Sequence, residues 1–105
     1  VFSGTAALSL EVEEVAAGWL VELLGLPAGT SVGFTTGATV ANFTAVAAAR
    51  HALLRGVGWD VEEDGLAGAP RIHVVVGERV HASMIMALRL AGLGRRTAIR
   101  VPVDD

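Results

Sequence analysis

The sequence predicts an α/β fold in which a mostly parallel sheet carries helices on both of its faces. Segments with helical and strand-like patterns alternate in the order α, β, α, β, α, β, which is typical of parallel strands joined by helices. The chain of 105 residues is 52% apolar but only 5% aromatic. Alanine, valine and leucine supply most of the apolar side chains, which suits helices packed closely on a sheet and argues against disorder.

The first quarter of the chain predicts an amphipathic helix. Ser9 is a predicted N-cap, and apolar residues then follow helical spacing over residues 12–24. Gly25 is expected to end this helix in the left-handed conformation, and Pro27 prevents its continuation. The short apolar segment 31–34 then predicts the first strand.

Three further elements and a loop are predicted in the remainder of the chain. The alanine-rich residues 39–55 favour a helix that approaches a sheet closely, and Gly56 and Gly58 are expected to end it. Residues 56–70 contain several glycines and three consecutive acidic residues, so they predict a solvated loop. The β-branched run at residues 72–76 is typical of a strand buried on both faces. A helix is predicted over residues 82–91, and a last strand over residues 97–103.

Composition excludes several classes of function. The formal charge is −3 with acidic residues and arginines interspersed, so no nucleic-acid partner is expected. Residues 23–49 are uncharged, but the turn residues among them argue against a membrane span. The chain has no cysteine, which excludes disulfides and thiolate chemistry. Its three histidines lack the spacing of metal ligands, so no metal site is predicted.

Both ends of the chain are expected to be truncated. The first residue is Val1, which is not methionine, and Asp105 follows shortly after the last predicted strand. No basic segment precedes an apolar core near the start. We therefore predict no signal peptide and expect a cytoplasmic location.

The turn at residues 36–39 is the first candidate site. In α/β folds, ligands bind beyond the carboxyl ends of strands, often at a helix N-terminus. Gly37 and Ala38 are small enough to let an anion reach the unpaired N–H groups of a helix start, and Thr39 adds a hydroxyl. The alternative is an ordinary turn in which Thr36 or Thr39 caps the helix, and the residue types alone do not exclude it.

His81 is the second candidate. It follows the predicted strand at residues 72–76 and precedes a helix, so it also lies at the carboxyl edge of the sheet. An imidazole at that position is suited to stacking, to proton donation or to contact with a carboxylate. A histidine that only caps the helix is the alternative. His51 and His73 are weaker candidates, since one lies within a helix pattern and the other within a strand pattern.

Five segments of the chain, taken together and in order, carry a resemblance. They are residues 20–27, 33–42, 47–50, 80–83 and 93–94. They resemble the group II pyridoxal-phosphate-dependent decarboxylases, the relatives of aromatic-amino-acid and glutamate decarboxylases. Members of that family commonly show a pattern like TSGGTEAN at the turn, followed after the next strand by a segment of the type AHSS.

The resemblance implies a cofactor, pyridoxal 5'-phosphate, and a role for each candidate residue. Gly37, Ala38 and Thr39 match the positions whose backbone N–H groups and hydroxyl hold the cofactor phosphate. His81 matches the catalytic histidine that stacks on the pyridine ring. Two positions depart from the pattern, because Ala38 replaces a common glycine and Val40 replaces a common glutamate.

The resemblance also implies a fold and an activity. The fold is aspartate-aminotransferase-like (fold type I), and residues 1–105 correspond to part of its large pyridoxal-phosphate-binding domain. The full-length protein is expected to be a homodimeric amino-acid decarboxylase, a carboxy-lyase acting on a small-molecule amino acid. Another enzyme of that fold, an aminotransferase or a cysteine-desulfurase-like protein, is an alternative. A non-catalytic α/β module that binds an anion is a third interpretation.

Lysine is absent, although the chain has eight basic residues in total, all of them arginine. A pyridoxal-phosphate enzyme of this kind needs a lysine to hold its cofactor. We therefore expect the 105-residue chain alone to be inactive and not to retain the cofactor stably. We also expect it to expose sheet edges and apolar faces.

Overall fold

The computed structural model describes residues 2–104, with side chains from residue 6 onward. The chain divides into a first compact unit that ends at Phe34 and a second that begins at Thr35. Its helices and strands are α1 (Phe2–Leu23), α2 (Ala38–Gly56), α3 (Val61–Asp64), β1 (Val74–Gly77), α4 (Ala82–Leu90) and β2 (Ala98–Val101). No helix in this described part is both long and apolar enough to cross a membrane.

Helix α1 lies in the first unit and is longer than the sequence predicts. It begins at Phe2, so Ser9 lies inside the helix and the prediction that it is the N-cap is wrong. The preceding residues include two alanines and a leucine and no proline, so the helix extends through them. Gly25 ends the helix as predicted, with φ of 64°, and the N–H of Leu26 donates to the carbonyl of Val21 at 2.9 Å.

The predicted first strand does not form. Residues 31–34 have no regular secondary structure, and no strand within residues 2–104 hydrogen-bonds to them. A strand is stable only when its backbone groups pair with a neighbour. The apolar composition of this segment therefore did not suffice to make it a strand in this chain.

The second unit begins with α2, whose bounds agree with the prediction to within one residue. Its end is also as predicted, because Gly58 has a φ of 85° and the N–H of Trp59 donates to the carbonyl of Leu54 at 2.9 Å. The predicted loop over residues 56–70 is wrong in one part, since α3 occupies one turn of it. The Asp60 carboxylate accepts from the N–H of Glu62 at 3.0 Å and so caps that turn.

The sheet of the second unit contains two parallel strands. Val74 of β1 pairs with Ala98 of β2, and Val75 pairs with Ile99, so the predicted parallel arrangement is confirmed. The prediction that the first of these strands is buried on both faces is wrong. The side chains of Val75 and Ile99, neighbours on one face, are 61% and 53% exposed. No described element of the second unit covers that face, so this unit does not by itself show helices on both faces.

The core of the second unit lies between α2 and α4. Its fully buried members are Leu54 of α2 and Ala87, Leu88 and Ala91 of α4 and its C-cap, each at most 4% exposed. The Arg50 guanidinium donates to the carbonyl of Ala91, which joins α2 to the end of α4. The predicted helix at residues 82–91 is therefore confirmed, and small alanines allow it to approach α2 closely.

Candidate functional site

The start of α2 presents free backbone donors. Gly37 is the N-cap, with an extended φ of 174° and no side chain to accept a hydrogen bond. The backbone N–H groups of Ala38, Thr39 and Val40 have no hydrogen-bonding partner among the described residues, and the first bond of the helix is made by Ala41 to Gly37 at 3.0 Å. Three donors therefore point out of the helix along its axis, at the positive end of its dipole.

Neither threonine caps this helix, so that alternative is wrong for the described geometry. The hydroxyl of Thr35 instead donates to the carbonyl of Gly37 at 3.0 Å, which fixes the turn without occupying the free N–H groups. Gly37 and Ala38 are exposed and Thr39 is half-buried. A Cβ built on Gly37 would meet no atom within 4 Å, so the approach to the free donors is open.

His81 is the N-cap of α4. Its Nδ1 accepts from the backbone N–H of Ser83 at 3.1 Å, and the Ser83 hydroxyl lies 2.8 Å from the same nitrogen. The histidine therefore caps the helix, as one of the two sequence interpretations expected. The side chain is exposed, and Nε2 has no hydrogen-bonding partner within the described part of the chain. Capping thus uses one nitrogen and leaves the rest of the ring accessible.

A hydrogen bond between helices brings the two candidates to one end of the α2–α4 pair. Nδ2 of Asn42 donates to Oγ of Ser83 at 2.9 Å, and both side chains are half-buried. Asn42 follows Thr39 by one helical turn, and Ser83 lies two residues after His81. The bond therefore joins the first turn of α2, which carries the free N–H groups, to the first turn of α4, which His81 caps.

Sequence reasoning missed the bond between Asn42 and Ser83. Both residues belong to the segments that carry the family resemblance, and that was the available signal. Their separation of 41 positions gives no local pattern from which their contact follows.

The other histidines do not join this site. His51 lies about three turns beyond Thr39 on α2, and its buried Nδ1 has no hydrogen-bonding partner among the residues that the structure describes. His73 is exposed and immediately precedes β1. Among residues 2–104 as described, no three histidine, cysteine, aspartate or glutamate side chains form a group that could hold a metal ion.

Comparison with known proteins finds amino-acid decarboxylases. The chain is 33% identical over 86 residues to the acidic amino acid decarboxylase GADL1 of Xenopus tropicalis, covering 82% of this chain and 16% of that protein. It is 30% identical over 95 residues to the GADL1 protein of Homo sapiens, covering 90% of this chain and 17% of that protein. It is 27% identical over 96 residues to L-2,4-diaminobutyrate decarboxylase of Acinetobacter baumannii, covering 83% of this chain and 19% of that protein.

These similarities extend over most of this chain but over less than a fifth of each relative. No family model matches the chain. The chain is therefore similar to one segment of amino-acid decarboxylases, and that segment contains both candidate sites.

Proposed function

We propose that this chain is part of a group II pyridoxal-phosphate-dependent amino-acid decarboxylase with an aspartate-aminotransferase-like fold. Two observations support this proposal. The chain is similar to three decarboxylases over more than four-fifths of its length. Independently, the free N–H groups at the start of α2 lie at the same end of the helix pair as His81. The second observation carries the assignment of the site.

The start of α2 fits a phosphate group. The N–H groups of Ala38, Thr39 and Val40 supply three donors, and the Thr39 hydroxyl is a fourth within the same turn. The helix adds a partial positive charge of about half a unit at this end, which favours a phosphate dianion. Ala38 in place of glycine and Val40 in place of glutamate leave these backbone donors unchanged.

His81 fits the position of a ring-stacking side chain. Its Nδ1 is held by the helix cap, so the imidazole plane is fixed while its faces and Nε2 stay accessible. Pyridoxal phosphate, when bound, supplies the electron sink for loss of carbon dioxide from an amino acid. A stacked imidazole restrains the cofactor ring from one side, and that is the role we propose for His81.

The remaining parts of the site are proposed to lie in the longer protein. This chain has no lysine to link the cofactor, and no aspartate belongs to the candidate site as the described residues form it to pair with the pyridine nitrogen. The substrate is proposed to be a small amino acid, and the relatives' names include an acidic amino acid and 2,4-diaminobutyrate. A homodimer in the cytoplasm is proposed for the whole protein.

Two alternatives compete with this proposal. An aminotransferase or a cysteine-desulfurase-like enzyme of the same fold would also need a phosphate-binding site, but the three relatives are named as decarboxylases. A non-catalytic anion-binding module is favoured only by the absence of lysine from this chain. Carbon dioxide release by the whole protein distinguishes the decarboxylase from both.

The test uses the whole protein that contains this chain, purified with pyridoxal phosphate. We expect it to release carbon dioxide from acidic amino acids or from 2,4-diaminobutyrate. Ala38→Asp places a carboxylate among the phosphate donors. Because an acidic residue in the first turn favours the helix, this change should not unfold the protein. It should still weaken cofactor binding by at least about tenfold, since the like charges repel at short range.

Ala48→Asp is the matched control, because Ala48 is an exposed residue in the middle of the same helix. It should leave cofactor affinity near that of the wild type. Equal cofactor affinity in the two variants would contradict a phosphate-binding site at the start of α2. Tight cofactor binding without carbon dioxide release from any amino acid would instead favour another enzyme of the fold.

A further inference from the structure

We infer that Asn42 and Ser83 are positioning residues for His81. The proposed mechanism is a chain of hydrogen bonds in which Asn42 orients the Ser83 hydroxyl and that hydroxyl, together with the Ser83 backbone, orients the imidazole. The role toward the cofactor rests on the proposed function. The hydrogen bonds themselves are properties of this chain and can be measured without the cofactor.

The direction of each bond follows from what the groups can donate. The side-chain nitrogen of Asn42 is only a donor, so Oγ of Ser83 accepts from it at 2.9 Å. The backbone N–H of Ser83 is also only a donor, so Nδ1 of His81 must accept at 3.1 Å. The hydroxyl proton of Ser83 is then left to donate to the same Nδ1, 2.8 Å away. We assign the neutral ring a proton on Nε2 from this network.

Burial distinguishes the two side chains that support the imidazole from the imidazole itself, which is accessible to a ligand. Asn42 and Ser83 are half-buried between two helices that share a core, whereas His81 is exposed. Supporting side chains placed on packed helices hold a site more accurately than loop residues do. The half-buried pair therefore holds the ring from its Nδ1 side and leaves Nε2 and the ring faces to a ligand.

The network also relates the ring to the phosphate donors. Asn42 is on α2, one turn after Thr39, so its position is fixed relative to the free N–H groups of that helix. Ser83 is on α4, within the turn that His81 caps. The bond between them sets the position and tilt of the imidazole relative to the free N–H groups at the start of α2. Without Asn42, the Ser83 hydroxyl is free to rotate away from Nδ1 and the ring loses one of its two donors.

The first test reads the ring nitrogen directly. The measurement uses the whole protein without cofactor, labelled with ¹⁵N-histidine and held at alkaline pH. The His81 signals are assigned by comparison with His81→Gln. We expect Nδ1 at the position of an unprotonated nitrogen that accepts hydrogen bonds. Ser83→Ala should shift it toward the position of a non-bonded nitrogen. Asn42→Asp should do the same, because a carboxylate only accepts and draws the Ser83 hydroxyl away.

Two variants serve as controls for this shift. Ser83→Thr keeps a hydroxyl and should restore the wild-type position. Thr44→Ala removes a hydroxyl of α2 that, among the described residues, donates to the carbonyl of Val40 at 2.8 Å, and it should cause no shift. The inference would be overturned if the Nδ1 chemical shift were unchanged in Asn42→Asp and Ser83→Ala. It would also be overturned by a protonated Nδ1 in the wild type.

The second test measures cofactor affinity in the same protein. Asn42→Ala and Ser83→Ala should each weaken pyridoxal-phosphate binding by about two- to tenfold, the range expected for loss of one hydrogen bond. They should also reduce the circular dichroism of the bound cofactor. Ser83→Thr and Thr44→Ala should match the wild type in both measurements.

The outcomes separate the inference from the proposed function. If the wild type binds the cofactor and Asn42→Ala and Ser83→Ala behave like Thr44→Ala, the positioning role is overturned while the proposed function stands. If the wild type binds no cofactor although Nδ1 responds to Asn42 and Ser83, the proposed function fails and the role toward the cofactor fails with it.

Discussion

Replacing Gly92 with alanine tests the packing of the turn that follows α4. Gly92 has a φ of 78°, and the next residue, Leu93, donates its N–H to the carbonyl of Leu88 at 3.0 Å. A Cβ at this position would lie 2.7 Å from Cδ1 of Leu66. The substitution therefore meets two separate obstacles, a left-handed backbone and a contact that is too short.

The two obstacles have separable magnitudes. A left-handed conformation costs a residue with a Cβ about 1–2 kcal/mol, and the stiffer unfolded chain returns about 0.4–1 kcal/mol. Displacing a packed side chain adds about 1 kcal/mol or more. Gly92→Ala should therefore lower the free energy of unfolding by about 2 kcal/mol in total.

Gly58 provides a matched control. It occupies the corresponding position after α2, with a φ of 85°, but a Cβ there would meet no atom within 4 Å. Gly58→Ala should cost only the conformational part, about 1 kcal/mol. When Leu66 is already alanine, the contact no longer exists. Adding Gly92→Ala to Leu66→Ala should therefore cost only the conformational part.

The assay is urea unfolding followed by far-ultraviolet circular dichroism, with the free energy extrapolated to water. Equal destabilisation by Gly92→Ala and Gly58→Ala would refute the reasoning, because it would show that Leu66 does not pack against this turn.

Further predictions concern the core, a helix cap and the open sheet face. Leu88→Ala removes a side chain that is 4% exposed and should cost about 2–5 kcal/mol in urea unfolding. Leu90→Ala, at 60% exposure, should cost well under that, and equal costs would contradict the α2–α4 core. Asp60→Ala should cost about 1 kcal/mol and speed amide hydrogen exchange in α3, and unchanged exchange would exclude the cap. Changing Val75 and Ile99 to threonine should reduce aggregation of the 105-residue chain in light scattering, and unchanged aggregation would show that another surface is responsible.

Helix ends were predictable from the sequence because their cause is local. Gly25 and Gly58 stop their helices in the left-handed conformation, which few other residues adopt without strain. Alanine-rich composition likewise placed α2 to within one residue. The start of α1 was not predictable from Ser9, because a potential N-cap does not prevent the helix from beginning earlier.

Features that depend on distant partners were not predictable in the same way. Residues 31–34 resemble a strand in composition, but a strand needs a paired neighbour, and the described chain offers none. Burial of β1 on both faces likewise requires an element that covers the face on which Val75 lies.

The same distinction between local features and distant contacts applies to the candidate site. Gly37 and His81 could be singled out because each stands at a helix start, which is a local property. That the free N–H groups lack a cap was not evident, because Thr36 and Thr39 were both suitable cap residues. The bond from Asn42 to Ser83 joins two helices, so only the fold reveals it.

The most direct test of the central claim compares the whole protein with the 105-residue chain after incubation with pyridoxal phosphate and exhaustive dialysis. We predict that the whole protein keeps equimolar cofactor, visible by its absorption, and that borohydride reduction fixes it to a lysine outside this segment. The 105-residue chain should lose the cofactor on dialysis, since it has no lysine. A whole protein that retains no cofactor would contradict the assignment of this segment to a pyridoxal-phosphate enzyme.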